Sequence, residues 1–354
     1  MQNYFNFAAE TEKEETMRIK HFLLVAIMLS FAVSTNAQTT GEKIKEFADK
    51  HMRLSGYLQG GYRYDTGIDE AFTFYLHRAR VSLTGDFAQD RLDYRLQVDM
   101  AGSPKICDLY VRYKPLNALN LELGQFKIPF SYENENCGPT TVEFIDYSYI
   151  TTYLARNNAR YDGIAATGRD IGFQIYGGFI QRDGYSIINY NVGVFNGSGI
   201  NLKDNNMSKD FIARLVIKPF QGFAVTGSYM YAETNYGLDK YMKSPRWAVG
   251  ALYDSRHWIA RSEYAEADFG GNLTRAFYAM AAYNFTYPVS VMARYEFIND
   301  ELKIMDEQRV AIGAAYKPFK FLRLQLNTSY TLRDKIAGVN RSSFGVNLLA
   351  TAMF

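Results

Sequence analysis

From Met52 to Phe354 the chain alternates apolar and polar residues with a period of two, broken at intervals by short polar stretches. In 322–332, Leu322, Leu324, Leu326, Tyr330 and Leu332 alternate with Arg323, Gln325, Asn327 and Ser329. In 92–100, Leu92, Tyr94, Leu96, Val98 and Met100 alternate with Asp93, Arg95, Gln97 and Asp99, and 289–297 repeats the pattern around Arg294 and Glu296. Successive side chains of a strand point to opposite faces, so each segment has one greasy face and one wet face. The segments run about ten residues, the length a tilted strand needs to cross the hydrocarbon of a bilayer. Their polar faces carry charge at mid-strand, where a water-soluble sandwich more often keeps it near the ends. The pattern predicts an all-β fold, a 16-stranded antiparallel transmembrane β-barrel, with strands at 53–64, 72–87, 91–100, 106–114, 119–127, 169–180, 186–196, 210–218, 223–233, 246–254, 257–266, 273–285, 289–298, 308–317, 321–333 and 342–354.

The breaks alternate in kind. Those after even strands are tight, and three reuse one phrase: Tyr113-Lys114-Pro115-Leu116, Ile217-Lys218-Pro219-Phe220 and Tyr316-Lys317-Pro318-Phe319. Proline cannot donate to a ladder and belongs where a strand ends. Breaks after odd strands are mostly longer and polar, as at 65–71, 128–168, 197–209 and 234–245. Short turns at one rim and long loops at the other are the rule for outer-membrane barrels, and an even strand count puts both chain ends at the short-turn, periplasmic rim. Phe354 closes an alternating strand containing Val346, Leu348, Ala350 and Ala352, which resembles the C-terminal signal of bacterial outer-membrane barrels.

Composition sharpens this picture. There are 28 Tyr and 25 Phe, yet mean hydropathy is slightly negative. Two aromatic girdles around a wet lumen account for both. The net charge of +2 gives no argument for nucleic acid as a partner. At the N-terminus, Arg18 and Lys20 precede the apolar run Phe22 to Val33, which is followed by Thr35-Asn36-Ala37. Residues 1–37 therefore read as a secretory signal peptide whose apolar run is too short to span a bilayer. Glu10, Glu12, Glu14 and Glu15 suit export poorly, so Met17 is the expected start. Residues 38–51 form a short periplasmic lead and 52–354 the barrel.

Strand parity assigns the charges. The face away from lipid takes Arg63, Arg78, Arg80, Arg95, Arg112, Lys114, Arg214, Lys218, Arg261, Arg294, Arg309, Lys317, Arg323 and Arg333, against Asp86, Asp93, Asp99, Asp108, Glu122, Glu263 and Glu296. That is fourteen bases to seven acids, in a chain of net +2. Rings of Arg and Lys favour anions, whereas paired Arg and Asp or Glu would only solvate the wall. Enzyme chemistry has little to build on. His51, His77 and His257 are the histidines beyond the signal, and no G-x-S-x-G is present. Asp204-Asn205-Asn206 with Asp210 is a polar loop that could hold calcium, and His77 beside Arg78 reads as a wall residue. No phosphate-cradling glycine loop or metal-ligand cluster stands out, and no cofactor is expected. Cys107 and Cys137 are the two cysteines, free to pair in an oxidising compartment or to remain separate thiols.

Several phrases resemble a known family. Gly124-Gln125-Phe126-Lys127-Ile128-Pro129-Phe130-Ser131, Arg169-Asp170-Ile171-Gly172, Val194-Phe195-Asn196-Gly197-Ser198-Gly199, and Arg78-Ala79-Arg80-Val81 followed by Gly85 are similar, in order, to the phosphate-selective porins O and P. The resemblance covers nearly the whole chain after the signal. It implies a homotrimeric barrel among outer-membrane lipids, with an anion path lined by Arg and Lys and carrying small anionic solutes such as phosphate. It also implies that 128–168 is the third loop, folded inward to narrow the barrel; an extracellular cap is the alternative. Arg78, Arg80, Arg112, Lys127 and Arg294, at mid-strand or near that loop, are then the expected lining of the path. A Cys107–Cys137 disulfide would tether the loop to the wall. A structural or adhesive barrel with a plugged pore and partner-binding loops is the competing reading.

Overall fold

A computed structural model describes residues 51–67, 72–87, 91–155, 168–204, 206–235, 241–303, 305–333 and 342–354. The expected signal peptide lies outside them. The strands are β1 (Arg53–Asp65), β2 (Phe72–Phe87), β3 (Leu92–Asp99), β4 (Lys105–Leu116), β5 (Leu119–Lys127), β6 (Arg169–Arg182), β7 (Tyr185–Phe195), β8 (Asp210–Phe220), β9 (Phe223–Tyr231), β10 (Glu233–Asn235), β11 (Tyr241–Lys243), β12 (Arg246–Asp254), β13 (Trp258–Phe269), β14 (Asn272–Asn284), β15 (Val289–Asp300), β16 (Glu307–Phe319), β17 (Leu322–Arg333) and β18 (Ser343–Met353). Sixteen of them close an antiparallel barrel in which each pairs with its neighbours in sequence and β1 pairs with β18. The exceptions are β10 and β11. They pair with each other inside the 234–245 connection, expected as a plain loop, while β9 pairs directly with β12.

The barrel closes at its last residue. Gly56 and Phe354 exchange backbone hydrogen bonds of 3.0 Å in both directions. A Cβ on Gly56 would sit 2.4 Å from the Phe354 ring and 2.6 Å from the Arg80 carbonyl, so only glycine admits the terminal ring there. The three Lys-Pro phrases behave alike. Register shifts between Tyr113 and Leu116, between Ile217 and Phe220, and between Tyr316 and Phe319, because each proline leaves a gap in the ladder where its strand ends. Rings stack beside these turns, Phe220 on Phe223 and Phe319 on Phe321, each pair at 5.2 Å.

The two faces are as parity predicts. Leu324, Leu326, Val291 and Tyr295 are exposed, while Arg323, Gln325 and Asn327 are buried between them. Ala79 and Val81 are partly covered on the outer side of the buried Arg80 and Ser82. Two bulges perturb the alternation. In β2 the register passes from Arg78 to Leu76, leaving His77 as the extra residue. In β4 it passes from Asp108 to Ile106, leaving Cys107 as the extra residue. Gln125 Nε2 donates to the carbonyls of both Ile106 and Cys107, which satisfies the backbone that the bulge leaves unpaired.

Candidate functional site: the β5–β6 connection and the charged wall

The connection after β5 is described at 128–155 and at Gly168. Its two roots are tied together. Ile128 N–H donates to the Gly168 carbonyl at 2.9 Å, and Asn134 Nδ2 donates to both the Ile128 and Gly168 carbonyls. Gly168 has φ +68°, and a Cβ there would lie 2.0 Å from Asn134 Oδ1, so the junction requires glycine. A short helix, α1 (Tyr132–Asn136), follows, and a π-helical turn spans Ile150–Ala155.

The segment hydrogen-bonds to strands around the barrel. Glu263 of β13 receives Tyr132 N–H at 2.7 Å, Glu133 N–H at 3.3 Å, Ser131 Oγ at 3.0 Å and, from β14, Tyr278 Oη at 2.9 Å. The buried carboxylate thus meets the start of α1, where amides lack helical partners, and helps hold Ser131 at φ +63°. Glu133 in turn accepts the amide and hydroxyl of Ser148. Arg323 Nη1 donates to the Thr140 carbonyl, Gln325 Nε2 to the Glu143 carbonyl, and Asn327 accepts the Ile145 amide. Gln59 of β1 donates to the Pro139 carbonyl, and Glu296 of β15 accepts the Tyr149 amide. Phe130, Phe144, Tyr149, Ile150 and Leu154 share one apolar cluster with Ile212, Met230, Ala248, Ala265, Ala276, Met280, Met292 and Ala311 from β8 through β16. The buried face of that half of the wall mixes this apolar cluster with the buried charges Arg214, Arg246, Glu263, Arg294 and Glu296, where parity alone predicts a polar lining. The signal was present in the sequence as alanine at Ala265, Ala267, Ala276 and Ala282, in place of charge.

A second group of charges lies on β2 to β6. A cavity of about 420 Å³ is bounded by β2 to β6 and by loop residues Glu135 to Thr141. Its lining includes Arg80, Arg95, Arg112, Lys127 and Arg169, with Asp108, Glu122 and Glu135. Three of the five expected residues, Arg80, Arg112 and Lys127, therefore meet in one space. Arg169, which the parity assignment did not include, joins them. Arg294 lies in a different, smaller cavity of about 190 Å³ with Arg63, Arg309 and Arg333. It sits over the Phe144 ring at 4.5 Å and donates to the Asp146 carbonyl. Arg78 Nη1 donates to Gln59 Oε1 at 2.9 Å and lines neither space.

Pairing is heavier than the count of bases suggests. Arg80 pairs with Asp99 at 2.8 Å, Arg112 with Glu122 at 2.9 Å, and Arg294 with Glu296 at 3.1 Å, while Arg309 also pairs with Glu296. Arg95 pairs with Asp108, which Arg169 shares. Asp93 pairs with Lys114. The loop contributes carboxylates of its own: Glu135 to Arg214 and Glu143 to Arg261. Asp146 is half-buried, and its desolvation pushes the carboxyl up, but Arg309, Arg63 and Arg294 outweigh this and hold it below the ordinary carboxylate range. Lys127 Nζ donates to the carbonyls of Glu135 and Cys137.

The expected disulfide is absent. Cys107 and Cys137 are both free and both buried. Cys107 is taken up in the β4 bulge, and Cys137 packs with Val142 and Tyr147. The Asp204 loop holds no metal-ligand cluster among the described residues, and Asp204 pairs with Lys209 and accepts the Asn206 amide.

A closed 16-stranded barrel with exposed apolar residues outside, charge inside and short turns at one rim is the architecture of an outer-membrane channel. Residues 52–254 match the family model of the phosphate-selective porins O and P, and the chain belongs to that family. Family and fold are those of a channel of the bacterial outer membrane rather than of an enzyme. No curated protein sequence is significantly similar. Among solved structures, the anion-selective porin from Comamonas acidovorans is 14% identical with a TM-score of 0.71, covering 86% of this chain and 99% of that one. The outer-membrane channel DcaP of Acinetobacter baumannii is 15% identical with a TM-score of 0.63, covering 86% and 97%. OmpT of Vibrio cholerae, in its trimer form, is 13% identical with a TM-score of 0.62, covering 86% and 99%. At these identities the likeness is one of fold.

Proposed function

We propose that the chain is a passive, water-filled porin that favours small anions such as phosphate, and that the β5–β6 loop folds inward and narrows its passage against the β2–β6 wall. The observation that carries this reading is the lining of the 420 Å³ cavity, in which five bases face three carboxylates. Ion pairing neutralises part of the field and leaves it positive where the passage is narrow. Passage then needs no cofactor and no covalent step. Selectivity comes from the field of Arg80, Arg112, Lys127 and Arg169 and from the width between Pro139 and the wall. The anion-selective porin from Comamonas acidovorans supports the same direction. A signal peptide at 1–37 and assembly as a homotrimer in the outer membrane complete the proposal; the trimer form of the Vibrio cholerae protein is in keeping with it.

Single-channel recording in planar bilayers tests this. Stepwise conductance is expected, and Lys127→Glu with Arg112→Gln should lower chloride over potassium preference. Folded protein that inserts without any conductance steps would instead favour the plugged, partner-binding barrel.

A further inference from the structure

A second cavity, of about 760 Å³, opens at the short-turn rim beneath α1. It shares Glu135 and Asn136 with the 420 Å³ cavity, so the two adjoin. Four bases line it, Arg91, Lys114, Arg214 and Lys218, against the single carboxylate Glu135. Lys114 pairs with Asp93, whereas Arg91 and Lys218 have no ion pair among the described residues. Arg214 has a side chain only 6% exposed, paired through Nη2 with Glu135 at 2.7 Å, and its Nε and Nη1 have no hydrogen-bond partner. Buried donors without acceptors are costly, so this guanidinium is short of oxygen atoms. Both nitrogens are covered by protein, and a turn of the guanidinium toward the cavity presents them to an anion.

Cations alone would suit any anion. Three asparagines narrow the choice. Asn120 Nδ2 donates to the Tyr176 carbonyl, Asn189 Nδ2 to the Ser186 carbonyl and Asn136 Nδ2 to the Tyr132 carbonyl. Each amide is thereby fixed in orientation by one of its two N–H groups. The three Oδ1 atoms, which can only accept, have no partner among the described residues. Acceptors beside cations fit a ligand that carries hydroxyl donors as well as negative charge. The amide oxygens find no donor on a fully ionised phosphate, and the cations find no charge on a neutral sugar.

We propose that this vestibule is a second binding site and that it takes a hydroxylated organic anion, a sugar phosphate or a sugar acid, held by Arg214 and Lys218 at its charged end and by Asn120, Asn136 and Asn189 at its hydroxyls. The proposal rests on the anion-porin reading. The test is block of chloride current at low salt in oriented bilayers, with glucose 6-phosphate, gluconate, inorganic phosphate or glucose added at the short-turn side. One of the two hydroxylated anions should half-block at about a tenth of the concentration that phosphate or glucose needs, and which one does so tells phosphoryl from carboxylate. Asn120→Leu with Asn189→Leu should bring that ligand back to the level of phosphate. Arg214→Gln should weaken its block by about tenfold; if this variant fails to show heat-modifiable folding on gels, the asparagine pair decides. Equal block by phosphate and both hydroxylated anions, or a preference that survives the asparagine changes, overturns the proposal. The reversal potential of the same membranes separates this failure from a failure of the anion reading, because only the latter gives a cation preference.

Discussion

Glu263 Oε1 accepts the backbone N–H of Tyr132 at 2.7 Å, joining the middle of strand β13 to the first residue of α1, 131 positions earlier in the chain. Its other oxygen takes Ser131 Oγ, Glu133 N–H and Tyr278 Oη. Removing the carboxylate leaves buried donors unsatisfied at roughly 1–3 kcal/mol each. Glu263→Ala should therefore lower the temperature at which folded mobility is lost on gels, and raise open-channel current noise by loosening the loop. Glu263→Gln keeps the shape and one acceptor, so its effect should be smaller. A quiet channel of unchanged thermal stability in Glu263→Ala would mean that this contact does not hold the loop.

Acid should act on the same loop through Asp146. Its carboxyl is held below the ordinary carboxylate range by Arg309, Arg63 and Arg294 despite partial desolvation. A depressed carboxyl contributes stability that is complete above the unfolded-state pKa and lost as pH falls through the folded-state value. Open-channel noise should thus rise as pH drops below the usual aspartate range, and Asp146→Asn should show the raised noise at neutral pH already.

The thiols give a chemical check on the fold. Burial pushes Cys137 up to about 12, so it stays a neutral, covered thiol at any ordinary pH. Protein unfolded without reductant should label two thiols, and folded protein at pH 7 should label Cys137 very slowly. Because this pKa is raised, the contribution of Cys137 to stability is complete below the ordinary value of 9.0 and is lost as pH rises from there toward 12. Recovery of no free thiol from the unfolded, unreduced protein would restore the disulfide.

The lipid-facing assignment is tested by Leu326→Arg. Leu326 is 42% exposed near the middle of β17 and pairs with Leu348 across β18. A cation there should cost about 2–4 kcal/mol in a bilayer, read from denaturant unfolding in vesicles. Gln325→Arg, on the buried face, should instead disturb the Glu143 contact and leave membrane insertion intact.

All sixteen barrel strands were legible in the alternation, because one face of every strand meets lipid and a slip of one residue would expose charge to it. The tight turns were legible in the repeated Lys-Pro phrase. What the pattern hid was tertiary. Three-residue strands such as β10 and β11 are too short to show a period. Bulges at His77 and Cys107 are set by what the neighbouring strand and loop need, and no local signal in either strand announced them. Parity places Arg80 away from lipid, yet it cannot choose Asp99 as its partner, because parity fixes the face and leaves cross-strand choice open. Glu135, Glu143 and Asp146 were missed as counter-charges because loops have no parity to read.

These loop acids narrow the surplus of positive charge and make selectivity the point of greatest exposure. In the 420 Å³ cavity five bases still face three carboxylates. The preference that follows is electrostatic and must weaken as the Debye length shrinks from about 10 Å at 0.1 M to about 3 Å at 1 M salt. The direct measurement is the reversal potential of the unmodified channel in a tenfold potassium chloride gradient, taken at low and at high salt. A potential of the sign set by chloride, fading as salt rises, is the result this structure predicts. A potential of the sign set by potassium at low salt would contradict it.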